Sequence, residues 1–252
     1  MVTSRLGPTN ADAAAPRTAE RTRYTYRMLL PDPLPARPLD IFKSWFDDAH
    51  APPLTDNPNA MIVASVDDSV TPARPSARVV LCKGMDLDAG FVSFYTNYTS
   101  RKGRELLANG RCSVVFHWDN MERQVRMEGV ALKAPAAQSD AYFATRHAGS
   151  RVGAWASDQS RPLPARDVLV NRVREQAARF QVPLNEELEA EAMDIDIPRP
   201  DHWGGFNIWL DAVELWCGGQ HRVHDRARFE RTLDLGGAAP VAGAWHGTRL
   251  FP

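Results

Sequence analysis

The segment LWCGGQHRVHDR (215–226) holds the densest group of titratable side chains in the sequence. Its two glycines permit a sharp turn. After the turn Arg222, His224 and Arg226 alternate, which predicts that their side chains share one face of a strand. Cationic or titratable groups in such a row repel one another unless an anion lies between them. Because no cluster of Cys, His or carboxylate residues accompanies His221 and His224, the segment favours an anion over a metal ion.

A second group of basic and hydroxyl residues lies at the ends of predicted strands and at a predicted helix start. It comprises Arg78 and Lys83 around one strand, Tyr95 and Thr96 at the end of the next, and Ser100, Arg101 and Lys102 at the helix that follows. Guanidinium groups and the free N–H groups of a helix N-terminus bind phosphate monoesters. The sequence has neither G-x-G-x-x-G after a strand nor G-x-x-x-x-G-K-[ST], so it predicts a mononucleotide or a phosphorylated small molecule. Taken alone, each residue is more typical of solvated surface charge.

Two further segments contain residues that could contact a ligand. In ERQVRMEG (122–129), Gln124 can donate to and accept from the edge of a heterocycle, and it is equally typical of an exposed strand. Tyr142 and Arg146 lie four residues apart on one predicted helical face, with Ser150 beyond the end of that helix. These three could bind a second phosphate. A packed tyrosine beside a surface arginine is the alternative, and the residues alone slightly favour it.

Short strands with period-two or fully buried patterns must position these residues. The predicted strands are 61–67, 76–83, 90–97, 111–118, 123–133, 206–216, 222–231 and 245–250. The predicted helices are 39–49, 100–109, 137–147 and 165–180, and the acidic stretch 185–196 is expected to be a surface loop or a frayed helix. Because no long crossover helix separates most of the strands, we expect a mainly β fold, an antiparallel barrel or meander with flanking helices.

Composition limits the class of protein. A chain of 252 residues is long enough for one sizeable core, so we expect one domain over 39–252 after a mobile N-terminal arm over 1–38. A formal net charge of −1 provides no general field for nucleic acid or an anionic membrane. Cys82, Cys112 and Cys217 form no C-x-x-C pair, and we find no membrane-length apolar run or signal pattern, so the expected location is the cytoplasm.

In their order and spacing, these segments resemble the pyridoxamine (pyridoxine) 5′-phosphate oxidase family over about residues 39–252. The resemblance is carried by RVVLCK (78–83), FYTNYTSRKGREL (94–106), ERQVRMEG (122–129), YFATRHAGSRVGAWASDQS (142–160), WGGF (203–206), LWCGGQHRVHDR (215–226) and RLFP (249–252). It implies an FMN-binding split β-barrel that works as a homodimer, with FMN at the subunit interface. The implied reaction oxidises pyridoxamine or pyridoxine 5′-phosphate to pyridoxal 5′-phosphate and reduces oxygen to hydrogen peroxide.

The resemblance also implies roles for individual residues. Those implied to bind FMN from one subunit are Arg78, Lys83, Tyr95, Thr96, Ser100, Arg101, Lys102 and Gln124, and those from the other are Gln159, Ser160, Trp216 and Arg226. The implied substrate-phosphate ligands are Lys83, Tyr142, Arg146 and Ser150, with Arg222 and His224 over the pyridine ring as catalytic residues. Arg21 and Tyr24 match a pair in the N-terminal arm that closes the site.

Several positions depart from the family pattern. Gln220 replaces a glutamate, Asn207 replaces an arginine, and Cys217 replaces a glutamine-like residue. The arm reads Thr-Tyr-Arg over 25–27 in place of a glycine-containing stretch, and the acidic stretch looks longer than usual. These changes keep two alternatives open: a related oxidase like that of phenazine biosynthesis, and a protein that binds flavin or pyridoxal phosphate without turnover.

Overall fold

Nine hydrogen-bonded strands form one antiparallel sheet in this computed structural model, which describes residues 29–52, 55–190, 195–237 and 239–252. The described residues contain eleven strands in all: β1 (Ala60–Asp67), β2 (Arg74–Leu81), β3 (Gly84–Asp86), β4 (Phe91–Asn97), β5 (Arg111–Trp118), β6 (Arg123–Lys133), β7 (Trp203–Cys217), β8 (Asp225–Glu230), β9 (Leu233–Asp234), β10 (Val241–Ala242) and β11 (His246–Leu250). The helices are α1 (Pro38–His50), α2 (Arg101–Ala108), α3 (Ala136–Ala144), α4 (Ala148–Ala156) and α5 (Arg166–Arg179). Strands β9 and β10 pair with each other apart from the main sheet.

Strands β6 and β7 lie at the centre of the sheet. Neighbouring strands follow the order β11-β8-β7-β6-β5-β1-β2, and β4 pairs with residues 203–209 of β7 and carries β3 on its other side. Along β6, Val125 and Met127 are fully buried, whereas Gln124 and Arg126 are half-buried. Successive side chains on a strand face opposite sides of the sheet. The second face of β6 is therefore available to polar side chains.

Helix α1 covers the apolar face of the sheet. Its buried residues Leu39, Phe42 and Trp45 follow the spacing of one helical face. The Phe42 ring lies 5.1 Å from the ring of Phe116 and 6.5 Å from that of Trp118, both on β5. These contacts belong to the main hydrophobic core, which holds the helix and the sheet together.

A second, smaller core lies among helices α3, α4 and α5. It contains Phe143, Val152 and Ala177 and extends to Trp203 at the start of β7. This core fixes α3 and α4, which carry the predicted second phosphate site, against one end of the sheet. In the described part of the chain, none of the helices is both long and apolar enough to cross a bilayer.

The mainly β, antiparallel fold class is confirmed, and the strands predicted at 111–118 and 123–133 have the observed bounds. Two elements were predicted wrongly. The helix predicted over 137–147 ends at Ala144, and α4 follows because His147 starts a new helix by accepting the Gly149 N–H on its side chain. The strand predicted over 222–231 begins only at Asp225, because a 3₁₀ turn occupies Gln220–Arg222.

Parts of two predicted segments lie outside the described residues. Residues 1–28 of the predicted arm and residues 191–194 of the acidic stretch are not described. Leu30, near the end of the arm, is buried and donates its backbone N–H to Asp225 Oδ2 at 2.7 Å. Within the acidic stretch, 185–190 form a turn closed by a bridge between Leu184 and Ala190.

Candidate active site

Lys102 lies in the first turn of α2 and contacts residues from two other elements. Its Nζ donates to Thr96 Oγ1 at 3.0 Å, near the end of β4, and to Gln159 Oε1 at 2.7 Å, in the loop after α4. Burial first, and then repulsion from Arg78, lowers the pKa of Lys102 to about 8. Among the described residues this ammonium group has no carboxylate within ion-pair distance, which suits it to an anionic ligand.

Two arginines lie beside this lysine and share one buried carboxylate. Arg101 Nε donates to Glu105 Oε1 at 2.8 Å, and Arg78 Nη2 lies 3.3 Å from Glu105 Oε2. Ser100 caps α2 by accepting the Gly103 N–H at 3.1 Å. We name the basic cluster as Arg78, Thr96, Ser100, Arg101, Lys102 and Gln159. Its charge and its helix N-terminus have the chemistry that binds a phosphate monoester.

Gln159 joins the basic cluster of its own chain. Its side chain contacts Thr96 and Lys102 of the same chain. The resemblance implies that Gln159 completes the flavin site of the other subunit, and that assignment stays a prediction. The loop after α4 lies against the end of β4, where Asn97 Nδ2 donates to the carbonyl oxygen of Ser157 at 3.2 Å. The neighbouring predicted flavin ligand Ser160 is exposed.

Three predicted flavin ligands lie side by side across β6, β7 and β8. Gln124 is paired with Trp216, and Trp216 is paired with Arg226. Arg226 Nη2 donates to the buried Glu214 at 2.7 Å, and Nη1 donates to the carbonyl oxygen of Phe251 at 3.0 Å. Arg226 Nε is buried and has no partner. A buried donor of this kind costs free energy until a ligand accepts its hydrogen bond.

Arg222 and His224 lie in a turn, so the prediction that they alternate with Arg226 along one strand is wrong. The Gly219 N–H donates to His224 Nδ1 at 3.0 Å and closes this turn ahead of β8. With Nδ1 accepting, a neutral imidazole carries its proton on Nε2. The His224 ring lies 4.7 Å from the Trp216 ring, next to the row of predicted flavin ligands. Arg222 is exposed and has a φ of 64°.

Tyr142 and Arg146 lie in an aromatic group at the second core. The Tyr142 ring stacks on the Tyr95 ring, with their centroids 4.0 Å apart. It also lies nearly parallel to the Trp203 ring, with their centroids 6.3 Å apart. Arg146 lies over the Trp203 ring at 4.7 Å, and its Nη1 is buried without a partner. Burial lowers the pKa of Arg146 below its ordinary value. Tyr142 and Arg146 both contact Trp203, but the prediction that they share one helical face is wrong, because α3 ends at Ala144. Ser150, predicted beyond the end of that helix, is exposed in the first turn of α4.

The remaining predicted site residues are not part of the basic cluster. Lys83 is exposed just beyond the end of β2. Tyr95 contacts Tyr142, and it faces away from the basic cluster because adjacent strand residues project to opposite sides. Arg21 and Tyr24 lie outside the described residues.

Sequence reasoning missed two buried carboxylates that organise the predicted ligands. Glu105 contacts both arginines of the basic cluster, and Glu214 contacts Arg226 at 2.7 Å and Arg126 at 3.0 Å. The four-residue spacing from Arg101 to Glu105 is a signal for a helical ion pair, but it carries no information on burial. The partners that bury both carboxylates come from distant strands.

Asn207, one of the departures from the family pattern, is buried within the protein. It exchanges hydrogen bonds with Gln138 at 3.0 and 3.1 Å and accepts from Ser93 Oγ at 2.7 Å. Its amide is therefore satisfied internally, and it links α3 to the sheet.

Comparison with known proteins places both halves of the site in one family. Residues 46–179 match the family described as pyridoxamine 5′-phosphate oxidase, and residues 203–252 match the pyridoxine 5′-phosphate oxidase C-terminal dimerisation region. The chain belongs to the pyridoxamine 5′-phosphate oxidase family. The first match contains the basic cluster, Gln124 and Arg146, and the second contains Trp216 and the turn before β8.

Relatives with the name pyridoxine/pyridoxamine 5′-phosphate oxidase match most of the chain. The protein of Cupriavidus necator is 47% identical over 215 residues, covering 85% of this chain and 89% of its own. That of Bordetella avium is 46% identical over 210 residues, covering 83% of this chain and 90% of its own. Membership of the oxidase family thus extends across the length of these relatives.

Solved structures confirm the split-barrel fold that the resemblance implied. PhzG from Burkholderia lata, in complex with tetrahydrophenazine-1-carboxylic acid, has a TM-score of 0.73 at 26% identity and covers 90% of this chain and 98% of its own. A pyridoxamine 5′-phosphate oxidase-related, FMN binding protein from Nostoc punctiforme has a TM-score of 0.58 at 13% identity, covering 84% of this chain and 96% of its own.

Proposed function

We propose that the protein is an FMN-dependent oxidase that converts pyridoxamine or pyridoxine 5′-phosphate to pyridoxal 5′-phosphate and reduces oxygen to hydrogen peroxide. The observation that carries this proposal is the presence of two separate groups suited to a phosphate. One is the basic cluster around Lys102, and the other contains Arg146 with its unpartnered Nη1. The reaction needs two such groups, because cofactor and substrate each carry a phosphate. Relatives at 42–47% identity bear the corresponding name.

The residues present fit FMN. Arg101, Lys102 and the N-terminus of α2 provide donors for its single phosphate, and Arg226 Nε is a buried donor without a protein partner. Gln124 from one subunit, with Trp216 and Arg226 from the other, would contact the ring system, as the resemblance implies. When bound, FMN would supply the two-electron redox chemistry of the reaction.

The chain itself binds and orients the substrate. Tyr142 and Arg146 would hold the substrate phosphate within the aromatic group. The exposed Arg222 would position the pyridine ring. His224 Nδ1 is occupied by the Gly219 N–H, so its Nε2 is the atom that would contact the substrate and hold or move a proton.

The proposal includes a homodimer and the cytoplasm. The match of residues 203–252 to a dimerisation region supports the dimer. All three cysteines are free and buried, which suits a reducing compartment. The assignments that rest on the resemblance alone, and stay predictions, are Lys83, Tyr95, Ser150 and Ser160, together with Arg21 and Tyr24 in the arm.

A related oxidase acting on a phenazine precursor is the second candidate. The similarity to PhzG, at a TM-score of 0.73, favours it, and so does the departure at Gln220. That ligand carries a carboxylate and no phosphate. A protein that binds flavin without turnover is the third reading.

The test is to identify the released flavin and to measure products. Flavin freed from the purified protein by heat should be FMN, and pyridoxamine 5′-phosphate should yield equal amounts of pyridoxal 5′-phosphate and hydrogen peroxide. Recovery of FAD would contradict the flavin assignment. Bound FMN without peroxide formation from either vitamin phosphate would favour the third reading, and turnover of a dihydrophenazine acid alone would favour the second.

A further inference from the structure

Glu105 is a buried carboxylate on which much of the basic cluster converges. Its side chain is 5% exposed, and its oxygens accept hydrogen bonds from side chains of β1, β2 and α2. Arg101 Nε donates to Oε1 at 2.8 Å, Ser65 Oγ and Ser76 Oγ donate to Oε2 at 2.5 and 2.9 Å, and Arg78 Nη2 lies 3.3 Å from Oε2. Burial acts to raise the pKa of Glu105, but hydrogen bonds from Ser65, Arg101 and Ser76 outweigh it, so the pKa is lowered.

The two serines connect Arg78 to Glu105. Arg78 Nη1 donates to Ser65 Oγ at 2.6 Å and to the carbonyl oxygen of Val63 at 3.1 Å, and Nη2 donates to Ser76 Oγ at 2.5 Å. Each hydroxyl has a single proton, which it donates to Glu105. With the contact to Glu105 itself, both terminal nitrogens of Arg78 are fully occupied within the protein. Arg78 therefore contributes to the cluster mainly as a fixed positive charge.

The charges of the cluster match those of a phosphate. Arg78 lies close enough to Lys102 to lower its pKa, so its field reaches the ligand-binding lysine. Arg78, Arg101 and Lys102 are cations and Glu105 is an anion, which leaves two net positive charges. A phosphate monoester carries about two negative charges above its second pKa of about 6. Arg101, whose side chain is 50% exposed, is tied to the cluster through Nε, which leaves its terminal nitrogens for a ligand.

We propose that Glu105 is a positioning residue for the flavin phosphate: its hydrogen bonds hold Arg78 and Arg101 in place within the basic cluster. This inference rests on the proposed function, because it takes the basic cluster as the site of the FMN phosphate. A carboxylate that only stabilised the fold would affect all ligands alike. A positioning carboxylate should affect binding only of the ligand that carries the phosphate.

The experiment compares FMN with riboflavin, which has the same ring system and no phosphate. The full-length protein is freed of flavin, and the dissociation constants of both are measured for the wild type and for Glu105→Ala and Glu105→Gln. Asp211→Asn is the matched control, because Asp211 is a partly buried partner of Arg111, far along β7 from the basic cluster. Loss of the charge-assisted hydrogen bonds in Glu105→Ala should weaken FMN binding by about tenfold or more, with riboflavin changed by less than about twofold.

Glu105→Gln keeps an oxygen that accepts from the arginines, so its FMN affinity should lie between wild type and Glu105→Ala. This variant also carries the test if Glu105→Ala does not fold. The inference is overturned if the variants change FMN and riboflavin binding equally, or leave the ratio of the two as in Asp211→Asn. If the wild type itself binds riboflavin as tightly as FMN, the basic cluster is not the phosphate site, and the flavin assignment of the proposed function fails with it.

Discussion

Raising the pH should weaken FMN binding through Lys102. In the flavin-free protein, burial and then Arg78 lower the pKa of this lysine to about 8. A bound phosphate dianion favours the ammonium form and raises that pKa, so binding takes up a proton whenever the free lysine is neutral. The affinity is therefore fully present below the pKa of the free protein and is lost as the pH rises through it.

The size of this effect follows from the pKa. The lysine is mostly charged at about pH 7, and about one molecule in ten keeps the proton at about pH 9, so the dissociation constant for FMN should rise by about tenfold between these values. Titration of flavin fluorescence across this range measures it. Riboflavin controls for titration of the ring, since the same ring without a phosphate should show no such rise.

Lys102→Arg is the matched variant for this prediction. A guanidinium keeps its charge throughout this range, so the variant should show an affinity for FMN that is nearly independent of pH. An affinity of the wild type that does not change with pH would refute the reasoning. An equal slope in Lys102→Arg would assign the titration to another group.

Three further substitutions separate cofactor binding, chemistry and substrate binding. Arg226→Ala removes a buried donor next to Trp216 and should lower FMN affinity by about tenfold, measured as flavin content after dialysis; full occupancy would contradict it. Arg222→Ala should keep FMN and lower kcat by about a hundredfold in oxygen-consumption assays, because it loses a contact that positions the reacting carbon. An unchanged kcat would remove its catalytic role. Arg146→Ala should mainly raise KM, because the substrate phosphate is held equally in ground and transition states; a fall in kcat with constant KM would argue against this.

Local patterns in the sequence predict the sheet well. Strands β5 and β6 were predicted with their observed bounds because their side chains alternate between buried and half-buried positions. The break between α3 and α4 was missed, since His147 is not among the common capping residues. The two glycines predict a turn that ends before Arg222, whereas the turn extends through Arg222 and is closed by the Gly219 N–H, which donates to His224 Nδ1.

The candidate site is predicted in composition but not in arrangement. The motifs identify Arg101, Lys102 and Arg226 by their types and neighbours. They do not reveal Glu105 and Glu214, because a glutamate in a polar helix or strand looks solvent-exposed until distant strands bury it. The contacts that bury these two glutamates depend on long-range packing, which the periodicity of a single segment does not predict.

The most direct test of the central claim is the comparison of pyridoxamine 5′-phosphate with pyridoxamine as substrates of the wild-type protein. Both have the same reacting carbon, and only the first carries the phosphate that Arg146 and Tyr142 are proposed to hold. Steady-state oxygen consumption should give a kcat/KM for the phosphorylated substrate that is higher by about a hundredfold or more, because the other leaves a buried cation unpaired. Equal values for the two, or no turnover of the phosphate in protein saturated with FMN, would contradict the account.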